Sequence, residues 1–215
     1  MLNSMKQELV KIIRDKQQLK EIMLNNTILM FMNRGIIEAK NVDKYNSMFN
    51  ANLDQNDETF IDLNNEESRL LSSNKLRVKF IFRKILTIKR VVDIEDFLDK
   101  KEYKVVIGSN ISTKAEKQIL DYKNTEFFND INLQINLIDH ILVPKHYKLN
   151  DEEKEQFIKA YDYREYTSKR MFDTDPVSKY YNLKDGDIVK IERMSINSGI
   201  CVDYRTVKSK LHIFI

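Results

Sequence analysis

The sequence predicts an α+β protein in two parts, an α/β front portion over residues 1–139 and a small α+β module over residues 140–215. Three observations carry that reading. Between Leu76 and Leu137, apolar residues switch repeatedly between the two-residue period of a strand and the 3.6-residue period of a helix, as in an α/β unit. After Val143-Pro144 come two helices with strong start signals and a hairpin. At 42 % hydrophobic, 215 residues furnish one core or two, because domains run to roughly 100–200 residues.

In the front portion, Met5, Leu9, Ile12, Ile13, Leu19, Ile22 and Met23 recur near the helical period up to about Phe31, and Gly35 is a natural stop. A shorter helix fits Val42 to Phe49. Asn52 to Asn65, rich in Asn, Asp and Glu, is expected to be a mobile loop. Leu76, Val78, Phe80 and Phe82 then alternate with Arg77, Lys79 and Arg83, the pattern of a strand with one buried face. Val91 to Lys101, with Ile94, Phe97 and Leu98 as a stripe, reads as a helix leading into the buried strand Val105-Val106-Ile107, which Gly108 ends. Ser112 can cap a helix through Ala115, Ile119, Leu120 and Tyr122. Ile131, Leu133, Ile135 and Leu137, alternating with Asn132, Gln134 and Asn136, predict a closing strand near Asp139.

In the second portion, Asn150-Asp151-Glu152-Glu153 reads as a capping box, with Phe157, Ile158 and Tyr161 on the helix that follows. Asp175 can cap a second, short helix that has Pro176 at its first position. Gly186 supplies a tight turn before the strand Ile188–Arg193. Ser195 to Gly199 is a hairpin loop, Ile200–Val207 the return strand, and Lys208 to Ile215 a candidate further strand.

Composition excludes several classes. Two Pro, four Gly and one Cys rule out collagen-like, mucin-like and disulfide-scaffold chains. Thirty-six basic against thirty-three acidic residues leave a net +3, so any nucleic-acid contact must be local. The start lacks an apolar leader core and the apolar runs fall far below the roughly 18 residues that span a bilayer, so a protein neither exported nor membrane-embedded is expected. His140, His146, His212 and Cys201 lack metal-ligand spacing, so no metal or other cofactor is expected. No phosphate-binding glycine loop and no G-x-S-x-G elbow occurs. The sharpest enzymatic candidate is Asp93, Glu102 and Lys104, which could hold Mg²⁺ for phosphodiester cleavage; their bland reading is solvated charge at a strand mouth. Lys75 to Arg90 carries seven cations and no acid, and reads equally as a phosphate-contacting patch and as the solvent face of an edge strand.

The tail carries His140-Ile141-Leu142-Val143-Pro144-Lys145-His146, Thr174-Asp175-Pro176-Val177-Ser178-Lys179-Tyr180-Tyr181, Lys184-Asp185-Gly186-Asp187-Ile188-Val189-Lys190-Ile191-Glu192-Arg193 and Cys201-Val202-Asp203-Tyr204-Arg205. In order, spacing and content this resembles the assembly domain of the fifth subunit of eukaryotic-type DNA-directed RNA polymerases, a domain with a counterpart in the archaeal polymerase. The front portion is similar in pattern to the jaw domain of that family, a restriction-endonuclease-like α/β fold without cleavage activity. Ser112-Thr113-Lys114-Ala115 falls where the family commonly has a T-P-S-A turn facing downstream DNA, with Thr113 in place of the proline.

The resemblance implies a non-catalytic polymerase subunit, with a jaw domain over 1–139 and an assembly domain over 140–215. It implies DNA-proximal residues Arg77, Lys79, Arg83, Ser112, Thr113, Lys114 and Lys117, and partner-binding residues His140, Pro144, Asp175, Pro176, Val177, Arg193, Tyr204 and Arg205. For Arg193 and Arg205, pairing within the domain to Asp175 or Asp203 stands beside pairing to a partner. The implied partners are the largest polymerase subunit, neighbouring small subunits and downstream double-stranded DNA, with no membrane and no small-molecule substrate. An intracellular place follows: nucleus if cellular, cytoplasm or virion if encoded by a cytoplasmic DNA virus, and the drifted, Asn/Lys/Ile-rich sequence would suit either source. The alternatives are a Mg²⁺-dependent nuclease of the same fold class, or a stand-alone protein-binding adaptor.

Overall fold

The computed structural model describes residues 15–89, 91–161, 168–195 and 199–209. The predicted helical residues Met5 to Ile13, Arg90, the hairpin apex 196–198, His212 and most of the candidate last strand lie outside them.

The chain opens with α1 (Lys16–Asn33) and α2 (Val42–Ala51), followed by β1 (Glu58–Asp62), α3 (Asn65–Leu71) and β2 (Lys75–Ile81). Two crossover helices, α4 (Val92–Leu98) and α5 (Thr113–Leu120), then link β2 to β3 (Tyr103–Gly108) and β3 to β4 (Thr125–Asn129). The sheet order is β1-β2-β3-β4, with β1 antiparallel to β2 and the other pairs parallel. One face carries Leu76, Val78, Phe80, Val105, Ile107 and Phe128 under α1 and α2; the other carries Ile81, Val106 and Phe127 under α4 and α5. Coverage on both sides explains the unbroken Val105-Val106-Ile107 run.

That double coverage also changes the reading of the basic strand. β2 is interior, between β1 and β3, rather than an edge strand with one wet face. Lys79 is 1 % exposed. Its ammonium lies 2.8 Å from Glu58 Oε1 while Lys100 lies 2.7 Å from Oε2, and both ammonium groups sit over the Phe97 ring, at 5.6 and 5.3 Å. Burial alone would raise the Glu58 carboxyl, but the hydrogen bonds from Lys100 and Lys79 more than offset it and hold the group below the usual carboxylate range.

Two further expectations are corrected. The Asn52–Asn65 stretch is not a mobile loop: it contains β1, the edge strand paired to β2 from Glu58↔Lys79 to Asp62↔Lys75. Only Thr59 and Ile61 point inward along it, which is enough for a strand buried on one face, and the Asn and Asp residues do turn chemistry. Asp54 accepts from the Asn56 and Glu58 amides, and Asn52 donates to Phe60 O at 2.8 Å. Ile131–Leu137 is not a strand either. It forms α6 (Asp130–Leu133) and a 3₁₀ turn over Leu137–Asp139, because the Asn129 side chain caps the Ile131 amide and starts a helix directly after β4. Of the alternating residues only Leu133 is buried; Ile131 and Ile135 face outward.

The second sheet, order β5-β7-β8-β6, comprises β5 (Lys145–Lys148), β6 (Arg170–Phe172) and the antiparallel hairpin of β7 (Ile188–Ser195) and β8 (Gly199–Lys208). Its helices start as their sequences dictate. In α7 (Asp151–Ala160) Asn150 and Glu153 form the reciprocal capping box, and in α8 (Pro176–Tyr180) the Asp175 carboxylate accepts from the Val177 amide at 2.9 Å. Gly186 adopts φ +84, the left-handed conformation its turn requires. Leu183, Val189, Ile191 and Val207 form a small core, whereas Tyr180 reaches into the core of the first sheet. Among the described residues no helix is long and apolar enough to cross a membrane.

The Glu58 cluster generates a stability prediction. Glu58→Gln removes the nearest countercharge of the buried Lys79 ammonium, leaving it Asn56 O at 3.5 Å and Asp93 Oδ2 at 3.9 Å, and should lower the unfolding free energy at neutral pH by about 2 kcal/mol, less than for a fully buried pair because the carboxylate is 16 % exposed. Since the folded carboxyl titrates below its ordinary value, its contribution is complete above the ordinary value and is lost as pH falls through the lower, folded one. The difference between the two proteins in urea unfolding should therefore begin to shrink below about pH 5 and vanish only well below the ordinary glutamate value of about 4.3.

Candidate docking and phosphate-contacting surfaces

The carboxylates that might have formed a nuclease centre are each held by a cation. Asp93 receives both its bonds from Arg83 Nη2, at 2.7 and 2.6 Å, and Glu102 receives Arg77 Nη2 at 3.3 Å. Lys104 is buried, and its ammonium donates to the carbonyls of Leu98 and Lys100 at the end of α4. Burial pulls the Lys104 pKa down. Among the described residues no three metal-ligating side chains converge.

Of the seven sequence-derived DNA-proximal residues, five lie around one end of the first sheet. The segment after β2 is stitched to the start of α5: Ile85 bridges to Ile111, Ser112 N donates to Ile85 O at 2.9 Å, and the Gln118 side chain accepts from Ile88 N at 3.0 Å. Ser112 Oγ accepts from the Ala115 amide at 3.2 Å and donates to Leu86 O at 2.8 Å, so this hydroxyl tethers the turn that opens α5. Exposed Arg83, Thr113, Lys114 and Lys117 are thereby brought near Lys84 and Lys89, outside the carboxyl ends of the parallel strands. Arg77 and Lys79 stand apart. Arg77 is largely covered and lies 5.1 Å from the Phe60 ring centre, and Lys79 does not reach the surface.

The sequence-derived partner residues divide between the two faces of the second sheet. Cross-strand pairs place His146 opposite Ile191, Ile191 opposite Asp203 and Val189 opposite Arg205, so these share the face toward α8. The His146 pKa is lowered by burial first; Asp175 raises it and Arg205 and Arg193 lower it, so four polar groups meet electrostatically there. Arg205 Nε, 3.8 Å from Asp203 Oδ2, is buried without a hydrogen-bond partner, and Arg193 is exposed. Tyr204 points to the opposite face, its ring 4.4 Å from Phe157 and 5.9 Å from Tyr161. Pro176 is exposed, but Val177 is 8 % exposed and part of the interior. Exposed His140 uses Nδ1 to accept from the Leu142 amide at 3.2 Å, and Pro144 O accepts from His146 Nδ1 at 2.7 Å.

Between Pro144 and Arg193 lies the feature that sequence reasoning missed. Ile141 is 95 % exposed, Leu142 82 %, Met194 88 % and Ile200 65 %, and together they line one groove beside the hairpin. Met194 and Ile200 are cross-strand partners, and Ile141-Leu142 runs past them before Pro144 ends the segment. A contiguous exposed apolar surface of this kind is a candidate interaction surface. Its sequence signal was an apolar triplet, Ile141-Leu142-Val143, with neither a helical nor a strand period.

Residues 135–207 match the family RNA polymerase Rpb5, C-terminal domain. The chain is 28 % identical over 206 residues to DNA-directed RNA polymerase subunit 5 of Acanthamoeba polyphaga mimivirus, covering 93 % of this chain and 97 % of that protein. It is 33 % identical over 126 residues to subunit rpabc1 of DNA-directed RNA polymerases I, II and III of Dictyostelium discoideum, covering 56 % of this chain and 64 % of that protein. With subunit 5B of DNA-directed RNA polymerases IV and V of Arabidopsis thaliana it shares 32 % over 145 residues, 65 % of this chain and 66 % of that one. The last two matches span less than two thirds of those proteins. The groove, the Asp175-capped helix and the hairpin all fall within residues 135–207, the stretch that matches the Rpb5 C-terminal domain.

Proposed function

We propose that this chain is a non-catalytic subunit of a multisubunit DNA-dependent RNA polymerase. Its second sheet docks on the largest subunit, and its first sheet, a jaw of the restriction-endonuclease-like class, stands beside downstream duplex. The observation that carries the reading is the exposed groove of Ile141, Leu142, Met194 and Ile200 within the Rpb5 C-terminal domain. Apolar side chains this exposed gain about 25 cal/mol per Å² when a partner covers them. Lys145, Glu192 and Arg193, which line the same groove, provide polar groups able to fix the orientation of what docks. The boundary between the two parts falls at the 3₁₀ turn Leu137–Asp139. With Asp93 and Glu102 engaged by arginines, no observation favours the nuclease reading.

Two measurements test this. Met194→Asp combined with Ile141→Asp should leave unfolding within about 0.5 kcal/mol of wild type, as expected for exposed positions, yet abolish recovery of polymerase subunits in a pull-down from the native source. Undiminished recovery of the polymerase would refute docking through the groove, and recovery of other proteins alone by the wild type would leave the adaptor reading instead. For the duplex, the assembled polymerase should lose about 0.9 in the slope of log affinity against log salt for each phosphate contact removed by Lys114→Gln or Lys117→Gln. Arg77→Gln should leave that slope unchanged.

A further inference from the structure

Two small domains joined in one chain move relative to one another by default unless their interface prevents it. Here α8 of the second sheet presses against the first. Tyr180 is 4 % exposed within the core beneath α1, its hydroxyl accepts from Asn33 Nδ2 at 2.9 Å, and Lys179 lies 3.1 Å from Glu116 of α5. At the centre is Arg34, the residue that ends α1, with a side chain only 5 % exposed. One edge of its guanidinium grips the β4 carboxylate of Glu126, Nη1 to Oε1 at 2.7 Å and Nη2 to Oε2 at 2.8 Å. The other edge meets the last carbonyls of α8, Nε to Tyr180 O at 2.7 Å and Nη2 to Lys179 O at 2.9 Å. Lys179 O also accepts from the Asn182 amide at 3.1 Å, whereas the Tyr180 carbonyl takes its donor from Arg34, which at the same time balances the charge of Glu126. The Phe31 ring lies beneath the guanidinium at 5.0 Å, and the Tyr103 hydroxyl donates to Glu126 from the other side.

We propose that Arg34 is a positioning residue that couples the two sheets into one rigid body and so fixes the direction in which the Lys84–Lys117 end points once the groove is docked. That consequence for transcription rests on the polymerase reading above; the coupling itself does not. The geometry requires arginine. A planar fork with five donors can serve four oxygens from two elements at once, whereas a lysine ammonium, with three donors at one point, cannot span them.

The test uses the full chain and its single thiol. Spin labels on Cys201, exposed on β8, and on Lys114→Cys, exposed on α5, give one distance across the two sheets by pulsed electron spin resonance. With Arg34 present the distribution should be narrow. Arg34→Met should broaden it at least about twofold, Arg34→Lys should fail to restore it, and Glu126→Gln, which keeps both carbonyl bonds, should broaden it less. Amide exchange of β3 and β7 shows whether each sheet remains folded. An unchanged width in folded Arg34→Met overturns the proposal, and if that variant does not fold, a narrow distribution in Arg34→Lys overturns it equally. If the pull-down fails but the widths behave as described, the coupling stands and only its role in a polymerase falls.

Discussion

A buried guanidinium with acceptors drawn from a strand of the first sheet and from helix α8, which precedes the hairpin of the second, is the contact on which the rest of this structure depends. The second sheet encloses a core of only a few residues, Leu183, Val189, Ile191 and Val207, too small to hold a rigid module by itself. It gains from lending Tyr180 to the larger core, but the helix that delivers Tyr180 is five residues long and ends inside protein, where a Tyr180 carbonyl short of a donor would carry a desolvation cost. Arg34 removes that cost, and Glu126 in turn balances Arg34. Removing Arg34 would leave the Glu126 carboxylate buried with only the Tyr103 hydroxyl, the situation in which the loss of one ion-pair partner matters most.

The same accounting explains why a chain that is 32 % charged presents so modest a basic surface on its first sheet. Lys79, Lys104 and Arg34 are all interior, and each finds oxygen partners in Glu58, in the end of α4 or in Glu126 with α8. Arg83, Lys84, Lys89, Lys114 and Lys117 stay exposed, where the β2–α4 and β3–α5 connections meet. Position relative to the sheet, rather than the number of lysines in a stretch, decides which charges can meet a phosphate.

This separates what was legible in the sequence from what was not. Ser112, Asn150, Asp175 with Pro176, and Gly186 were legible because capping and turn chemistry act within four residues. The strands β2 and β3 and the hairpin were legible from their periods. What escaped was information held by distant segments. Alternation along Leu76–Phe82 shows that one face is apolar but not whether another strand and two helices will cover the second, which is why Lys79 read as a surface cation. β1 was hidden because only Thr59 and Ile61 need be buried in an edge strand set among turn residues. Ile131–Leu137 imitated a strand by chance alternation, and the cap at Asn129 overrode it.

The apolar groove was illegible for a related reason. The resemblance directed attention to His140, Pro144, Asp175, Pro176, Val177, Arg193, Tyr204 and Arg205, whereas the exposed apolar surface is made of Ile141, Leu142, Met194 and Ile200. Nothing local distinguishes a leucine destined for a core from one destined for a partner; the distinction appears only when the fold leaves it uncovered. The arrangement has its own logic. Met194 and Ile200 sit at the far end of a two-stranded ribbon whose base is anchored by Val189, Ile191 and Val207, so the backbone beneath the groove is already ordered before any partner arrives. An apolar surface on an ordered ribbon loses little conformational entropy on binding, so more of the area it buries appears as affinity. Coupled through Arg34 to the first sheet, such a ribbon would transmit not only attachment but orientation.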